Sequence, residues 1–481
     1  MHRTLPVALA ATAVLATAVP TASAAAARTL EWGACPEGVA APRLQCSTLE
    51  VPLDHRDPGG RKIEIAISRL ASENPARRRG VLLTNPGGPG GEGLGYPATL
   101  AGAGLPQEVL DSYDIIGFDP RGVGRSTPVT CELTPEQQAR GAFARYAHTA
   151  ADVTREAGYA RATAEQCATS PTAYMLPHTT TANTARDMER IRVALGERKV
   201  SFLGASYGSH LGAAYATMFP DRGDRIVLDS NLGAGGYDAT AMRRFARGLQ
   251  DRFPDFAAYA AAHPEHGLGS TPEQVTAEFF DLAERLDAKP VQGVDGLAFR
   301  GLTFEYLYSD AALPALAKTW QALAADRPVP LPPVVDRDNL MSARLYVICG
   351  DSRWPDSIRD YQRAVAVDRV RYPMLGGATA NIGPCAFWPD ERTEPPVRIG
   401  DRGPSNVLLL QNERDPGTPL VGARELRRAF GQRATLVTAD QGGHGVYPWD
   451  GNRCANDAAT EFLTTGHRPA RDLACPAEPG E

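Results

Sequence analysis

Residues 203–212 read LGASYGSHLG, and they follow the short apolar run Val200-Ser201-Phe202. An apolar run entering Gly-x-Ser-x-Gly and leaving as a helix-forming stretch describes a strand that turns sharply into a helix. The serine between the two glycines has two readings. In one it belongs to a glycine-rich turn and caps the next helix. In the other it is a nucleophile, Ser206, held on a strained turn with its hydroxyl projected at the carboxyl edge of a sheet. Five residues do not separate the two; the rest of the chain does.

Upstream, residues 80–93 (GVLLTNPGGPGGEG) and 113–126 (YDIIGFDPRGVGRS) each read as a buried strand entering a loop rich in glycine or proline. Before them, TLEVPLD (48–54) and KIEIAISRL (62–70) alternate apolar and polar residues around the turn HRDPGG, the pattern of two strands joined by a turn. Residues 183–195 (NTARDMERIRVAL) form an amphipathic helix with Asn183 or Thr184 placed to cap it. Downstream of the elbow comes the strand RIVLDSN (225–231). Residues 232–400 then break the rhythm with alanine-based helical stretches and the proline cluster RPVPLPPVV. The alternation returns with NVLLLQNERDPGTP, the helix GARELRRAF, the strand ATLVTADQGGHG and a last helix near Asp457–Leu463. Alternating short apolar strands and helices predict a mostly parallel sheet covered on both faces. The fold class expected is therefore α/β, with core segments 25–231 and 401–481 and a mainly helical lid inserted over 232–400.

A nucleophilic serine needs a base, and the base needs an orienting acid. Of the nine histidines, His444 follows the last predicted strand inside QGGHGVY, where glycines let a loop bring an imidazole to the sheet edge. His210 lies one turn beyond Ser206 on the same helix and points along it. His55, His148, His178, His263 and His266 sit in or beside polar, proline or glycine segments and read as surface residues. Three acids follow predicted strands: Asp229, Asp351 after LYVICG, and Asp415 in DPGTP. Asp415 takes the position after the strand that precedes the histidine's strand, the usual place in the order Ser, acid, His. Asp229 is the alternative, one strand earlier, and Asp351 reads as structural, tied down by Cys349. The developing oxyanion needs backbone N–H groups: one from Tyr207, the other from the loop NPGGPGG (85–91), where side chains are absent.

The remaining composition narrows the setting. Of 481 residues, 50 are Lys or Arg and 56 Asp or Glu, a formal net charge of -6, which supplies no cationic field for nucleic acid or an anionic membrane. Arg3, an apolar stretch from Leu5 to Val19 and TASA ending at Ala24 read as a signal peptide over residues 1–24. No later run approaches the ~18 apolar residues that span a bilayer, so a secreted, soluble mature chain is expected. All eight cysteines follow the signal and none forms C-x-x-C, which argues for disulfides rather than zinc. Pairing in chain order, each bridge closing a short local excursion, is the expected connectivity.

Taken together, NPGGPGGEG, DIIGFDPRGVGRS, NTARDMERIRVALG, FLGASYGSHLGAAYATMFPDRGDRIVLDS, CAFWP, ERDPGTP and GGHGVY resemble the secreted tripeptidyl-aminopeptidase-like α/β-hydrolases, relatives of proline iminopeptidase. The resemblance runs from about Trp32 to Cys475. It implies an α/β-hydrolase fold with Ser206, Asp415 and His444 as the triad, Gly88 and Tyr207 as oxyanion donors, and a lid over 232–400. The activity it implies is that of a serine exopeptidase acting on peptides with a free N-terminus, without metal or cofactor. The same triad also serves esterases, lactonases and amidases, and a hydrolase-like binding module is the non-catalytic alternative. One departure stands out: after GGPGG such enzymes carry a small residue, and here it is Glu92. An exopeptidase must hold the substrate's α-ammonium, so Glu92 is a candidate substrate-binding carboxylate; otherwise it caps the helix after this loop.

Overall fold

Strands that alternate in polarity, or that are apolar throughout, assemble into one ten-stranded sheet in this computed structural model, which describes residues 30–329, 335–389, 394–449 and 451–478. The expected signal peptide, residues 1–24, lies outside the described residues. The strands are β1 (Gly33–Ala34), β2 (Leu44–Pro52), β3 (Lys62–Leu70), β4 (Gly80–Asn85), β5 (Tyr113–Phe118), β6 (Val200–Ala205), β7 (Gly223–Asp229), β8 (Val407–Arg414), β9 (Ala434–Gly442) and β10 (Leu473–Cys475). Their order across the sheet is β1-β2-β3-β5-β4-β6-β7-β8-β9-β10. The hairpin β2–β3 and the β3–β5 pair are antiparallel, and every pairing from β5 to β10 is parallel.

The parallel strands carry apolar runs because both of their faces are covered. Leu82 and Leu83 on β4, and Leu408 and Leu409 on β8, are fully buried against opposite faces, as the period of two requires. Each such leucine contributes roughly 1.5–3 kcal/mol on leaving water. One face packs on α1 (Tyr96–Gly102), α2 (Gln107–Ser112) and α15 (Arg453–Thr465). The other packs on α5 (Thr181–Ala194), α6 (Tyr207–Met218) and α14 (Leu420–Phe430). Thr180, rather than Asn183 or Thr184, caps α5: its hydroxyl accepts from the Asn183 N–H at 3.2 Å. The helix therefore starts earlier than its apolar stripe suggests.

β7 and β8 lie side by side, yet the chain between them builds most of the remaining helices. These are α7 (Ala239–Ala262), α8 (Pro272–Ala288), α9 (Gly296–Tyr306), α10 (Leu313–Ala324), α11 (Asp338–Asp351), α12 (Ile358–Arg371) and α13 (Gly376–Thr379). Phe253, Phe256, Phe279 and Trp320 pack ring against ring in their midst, and this cluster is continuous with the sheet's core. The excursion between β5 and β6 joins them. After the short helix α3 (Pro135–Ala139), helix α4 (Ala150–Ala168) brings Val153 and Ala157 against Tyr361 and Val365 of α12.

All eight cysteines are paired, in chain order: Cys35–Cys46, Cys131–Cys167, Cys349–Cys385 and Cys454–Cys475. The run LYVICG, read above as a strand, lies inside α11. Ser342, Tyr346 and Cys349 recur at helical spacing on its buried side, and an apolar run this short carries no period that separates strand from helix.

Candidate active site

Ser206 sits between the end of β6 and the start of α6 with φ 59° and ψ −125°, a conformation that costs a non-glycine residue of order 1–3 kcal/mol. The neighbours impose it. The Ser206 N–H donates to the Asp229 carbonyl at 3.0 Å, while β6 is paired on both sides. The flanking glycines are required by contact, since a β-carbon on Gly204 would collide with the Gly208 carbonyl, and one on Gly208 would stand 2.6 Å from the Asn85 carbonyl oxygen.

The glycine-rich loop after β4 closes directly over this turn. Gly87 has φ +96°, and a β-carbon there would lie 2.5 Å from the Ala205 carbonyl oxygen and 3.0 Å from both Ser206 Cβ and the Tyr207 nitrogen. The main chain of this loop and the Tyr207 amide therefore face the same space beside Ser206. Gly88 lines a cavity of about 720 Å³ together with Ser206 and His444. Its carbonyl is turned the other way and accepts from Arg344 Nη1 of α11 at 2.8 Å. The Tyr207 side chain points out of the cavity into the core, its hydroxyl 2.6 Å from Thr181 Oγ1.

His444 follows β9 on the loop that the glycines allow. Its Nδ1 lies 2.9 Å and 3.0 Å from the two carboxylate oxygens of Asp415, and its N–H donates to the Tyr308 carbonyl at 2.8 Å. The Tyr308 ring packs on the imidazole with centroids 4.5 Å apart. Asp415 is itself held in place: Oδ1 accepts the N–H groups of Gly417 and Thr418 at 2.8 Å each, and Oδ2 accepts the Thr418 hydroxyl at 2.8 Å. The carboxylate is buried, Oδ2 also accepts from Gln411 Nε2 at 3.4 Å, and this orientation turns both oxygens toward His444 Nδ1.

Asp229, the alternative acid, is directed elsewhere. Its carboxylate accepts the N–H groups of Val446 and Tyr447 at 2.9 Å and 2.8 Å, bracing the loop just beyond His444. Burial pushes its pKa up to about 6, against the opposing pull of those two N–H groups. Asp351, at the end of α11, accepts from the N–H of Thr181 at 2.9 Å and takes no part in the cavity that holds Ser206. His210 is buried under the segment leaving β7, and burial lowers its pKa to about 4.

Glu92 is the prediction that the geometry moves away from the site. The residue is exposed and does not border the cavity that holds Ser206. The turn after Gly91 is captured by Asp119, whose Oδ1 accepts from the Gly93 and Leu94 N–H groups at 2.8 Å each. That capture sends residue 92 outward, with its stem beside Gly124. His55 departs from expectation in the other sense. It is enclosed with Arg121 and Asp187, its Nε2 2.8 Å from Asp187 Oδ1, while Arg121 spans both oxygens of that carboxylate at 2.7 Å.

Residues the sequence did not single out complete the cavity: Glu305 and Tyr308 after the start of α9, and Arg337 and Arg344 at α11. Glu305 is the one carboxylate among the described residues that border it. Partial desolvation by the neighbouring wall raises its pKa, Arg337 opposes that shift, and the residue stays open to solvent. Nothing in the alanine-rich helical pattern marks these positions, because their role depends on which helix face meets the sheet edge. Among the described residues, no group of three or more His, Cys, Asp or Glu side chains is gathered to hold a metal ion, and no helix is long and apolar enough to cross a membrane.

Residues 372–475 match the family model described as TAP-like protein. The chain is 35% identical to a tripeptidyl aminopeptidase of Streptomyces lividans, with 94% of this chain and 88% of that protein covered. It is 31% identical to carboxylesterase B of Mycobacterium tuberculosis over 92% of this chain and 89% of that one. Serine protease Hip1 of the same organism is 28% identical, with 89% and 87% covered.

Proposed function

The chain belongs to the tripeptidyl-aminopeptidase-like α/β-hydrolases, and from that premise we propose that it is an exported serine exopeptidase releasing short peptides from free N-termini. One observation carries the reading. A strained serine and a carboxylate-bound histidine border a single cavity, beneath a glycine loop pressed against the serine. In this reading Ser206 is the nucleophile, His444 the base and Asp415 its orienting acid. The Gly88 and Tyr207 amides stabilise the oxyanion.

The chemistry follows from that arrangement. Asp415 holds a proton on His444 Nδ1, so that the lone pair on Nε2 takes the proton of Ser206 as its oxygen attacks the scissile carbonyl. The same proton then passes to the departing amine, and water admitted to His444 releases the acyl group. Residues 25–231 and 401–481 act as the hydrolase core and 232–400 as the lid, with residues 131–176 packed onto the lid as part of the same cover. The four disulfides are consistent with export into an oxidising compartment. The α-ammonium anchor falls to Glu305 instead of Glu92, because Glu305 is the one carboxylate among the described residues that border the cavity, and a carboxylate is the natural partner for a charged amine.

A fluorophosphonate should modify Ser206 and leave the Ser206→Ala protein untouched; labelling that persists in the variant refutes the assignment. A panel of unblocked mono-, di- and tripeptidyl anilides, run beside N-acetylated esters, tests the substrate class. Glu305→Gln should raise KM at least about tenfold, the scale of losing one charge-assisted contact, for free-amine substrates alone. Equal turnover of blocked and unblocked compounds would instead favour the esterase reading, to which the carboxylesterase relative lends weight.

A further inference from the structure

A second chamber of about 300 Å³ lies behind the first, enclosed by α4, α7, α11, α12 and the segment after Leu133. Arg140, Gly141, Ala142, Phe143 and Arg344 border both cavities, so the two spaces adjoin at one short segment and one side chain. Gly141 in that segment has φ +69°. The chamber's surface is mostly apolar, with Met242, Met341, Leu345, Trp354 and Tyr361 facing one another.

The guanidiniums in its walls already have partners. Arg140 contacts Glu156 at 3.1 Å and stacks 3.5 Å over the Tyr159 ring. Arg243 spans both oxygens of Asp368, and Arg344 is committed to Gly88 and Tyr237. An anionic occupant therefore finds no free counter-charge among these guanidiniums, and the two carboxylates that border the chamber, Glu156 and Asp360, are paired with Arg140 and Arg363. Four lining residues nevertheless hold a buried polar atom with no partner among the described residues: Arg140 Nη1, Thr163 Oγ1, Tyr361 OH and Thr379 Oγ1. A peptide group beside an apolar side chain supplies both donors and acceptors for such atoms. Two bridges, Cys131–Cys167 and Cys349–Cys385, close the surrounding segments, so the chamber is preformed.

We propose that this chamber is a subsite for a bulky apolar side chain, aromatic or branched aliphatic, belonging to the same peptide whose scissile bond lies at Ser206. The proposal rests on the aminopeptidase reading above. Its volume is at the lower end of ligand pockets, about 300–1,000 Å³, which suits one large residue. The residues common to both cavities make the two spaces adjoin, so a side chain of the substrate held at Ser206 is the occupant, rather than a separate molecule.

The test fills the chamber with Ala364→Trp, on α12 and away from the triad, and in a second variant hollows it with Trp354→Ala. Tripeptidyl anilides with phenylalanine at each position in turn are compared with the all-alanine compound. Ala364→Trp should lower kcat/KM for one phenylalanine position by about 10- to 200-fold, the range a lost apolar pocket produces, mainly through KM. The all-alanine substrate should stay within about twofold on the same scale. Trp354→Ala should narrow the preference between the two peptides. Equal effects on both peptides, or none, overturn the proposal. So does phenylalanine dipeptide amide binding in the chamber of fluorophosphonate-labelled protein while substrate ranking is unmoved by Ala364→Trp, since that makes the occupant a separate ligand. Titrating the same tripeptides, as amides, into the Ser206→Ala protein reads the chamber without turnover. Failure of the wild type to cleave any free-amine peptide would thus refute the exopeptidase reading and leave the chamber to be judged by binding.

Discussion

Asp415→Asn should lower kcat by about 10⁴-fold, about 5.5 kcal/mol of barrier at about 1.4 kcal/mol per decade, and the hydrogen bonds say why. Oδ1 accepts two backbone N–H groups, from Gly417 and Thr418, and those donors cannot reverse. The oxygen of the new amide must take that side, which places its NH₂ at the present Oδ2. There it faces the Thr418 hydroxyl, which can rotate to accept, the Gln411 amide at 3.4 Å, and His444 Nδ1 at 3.0 Å. Because the oxygen 2.9 Å from Nδ1 is already filled by two N–H groups, the amide selects the tautomer in which Nδ1 accepts. An imidazole that accepts at Nδ1 carries its proton at Nε2 and has nothing with which to deprotonate Ser206. Asp229→Asn is the matched control. Its amide oxygen can keep both Val446 and Tyr447 N–H bonds on the atom that receives them now, so kcat should stay within about tenfold of wild type, the change of a perturbed support rather than a lost tautomer. The assay is steady-state release of anilide from an unblocked peptide, with fluorophosphonate inactivation rates as a second reading of serine reactivity. Near-normal turnover in Asp415→Asn together with a thousandfold loss in Asp229→Asn would refute this reasoning and move the acid one strand earlier.

Three further outcomes are expected. Gly87→Ala should cut kcat by roughly 10²–10³, the scale of one lost oxyanion donor, because its β-carbon would stand 2.5 Å from the Ala205 carbonyl at φ +96°; a kinetic comparison on the peptidyl anilide checks it. Asp229 has a folded pKa of about 6 against its ordinary 3.8, so its contribution to stability is present below about pH 4 and is lost as pH rises through about 6, a total of about 3 kcal/mol. Urea unfolding of wild type at the two ends of that window should show the loss, and Asp229→Asn should remove it. Replacing Cys131 and Cys167 by alanine together opens a separation of 36 residues and should cost about 4 kcal/mol, read as a lowered melting temperature, with Ser206 labelling preserved in the protein that remains folded.

The parts of this molecule legible in its sequence are those governed by local rules. β4 and β6 are short, mostly apolar and buried, and each runs into a glycine-bearing turn, because a parallel strand covered on both faces must end where a loop reaches the site. Ser206, Asp415 and His444 stand at strand ends, so their order along the chain carries their order in space. What stayed hidden depends on contacts between distant segments. The α4 segment gives no sign in its own residues that it will pack on α12, some two hundred positions later. Glu305 and Arg344 sit on helices whose faces are chosen only when the helices meet the sheet edge. His266 is buried and His55 is enclosed by an ion pair, though both lie in polar stretches, because the groups that shelter them come from elsewhere in the chain. β10 is three residues long, too short for any periodicity to register.

The chain-order pairing of the cysteines bears on how such a molecule is made. A chain that emerges amino end first presents Cys46 when Cys35 is the one thiol waiting, and each later pair arrives after the earlier one has been sealed. No cysteine has to outlast the synthesis of an unrelated pair, and no bond has to be undone so that a later one can form. The longest wait is 36 residues, short beside the distance between β7 and β8. Oxidation can thus keep pace with emergence, and the correct connectivity needs no shuffling to be reached.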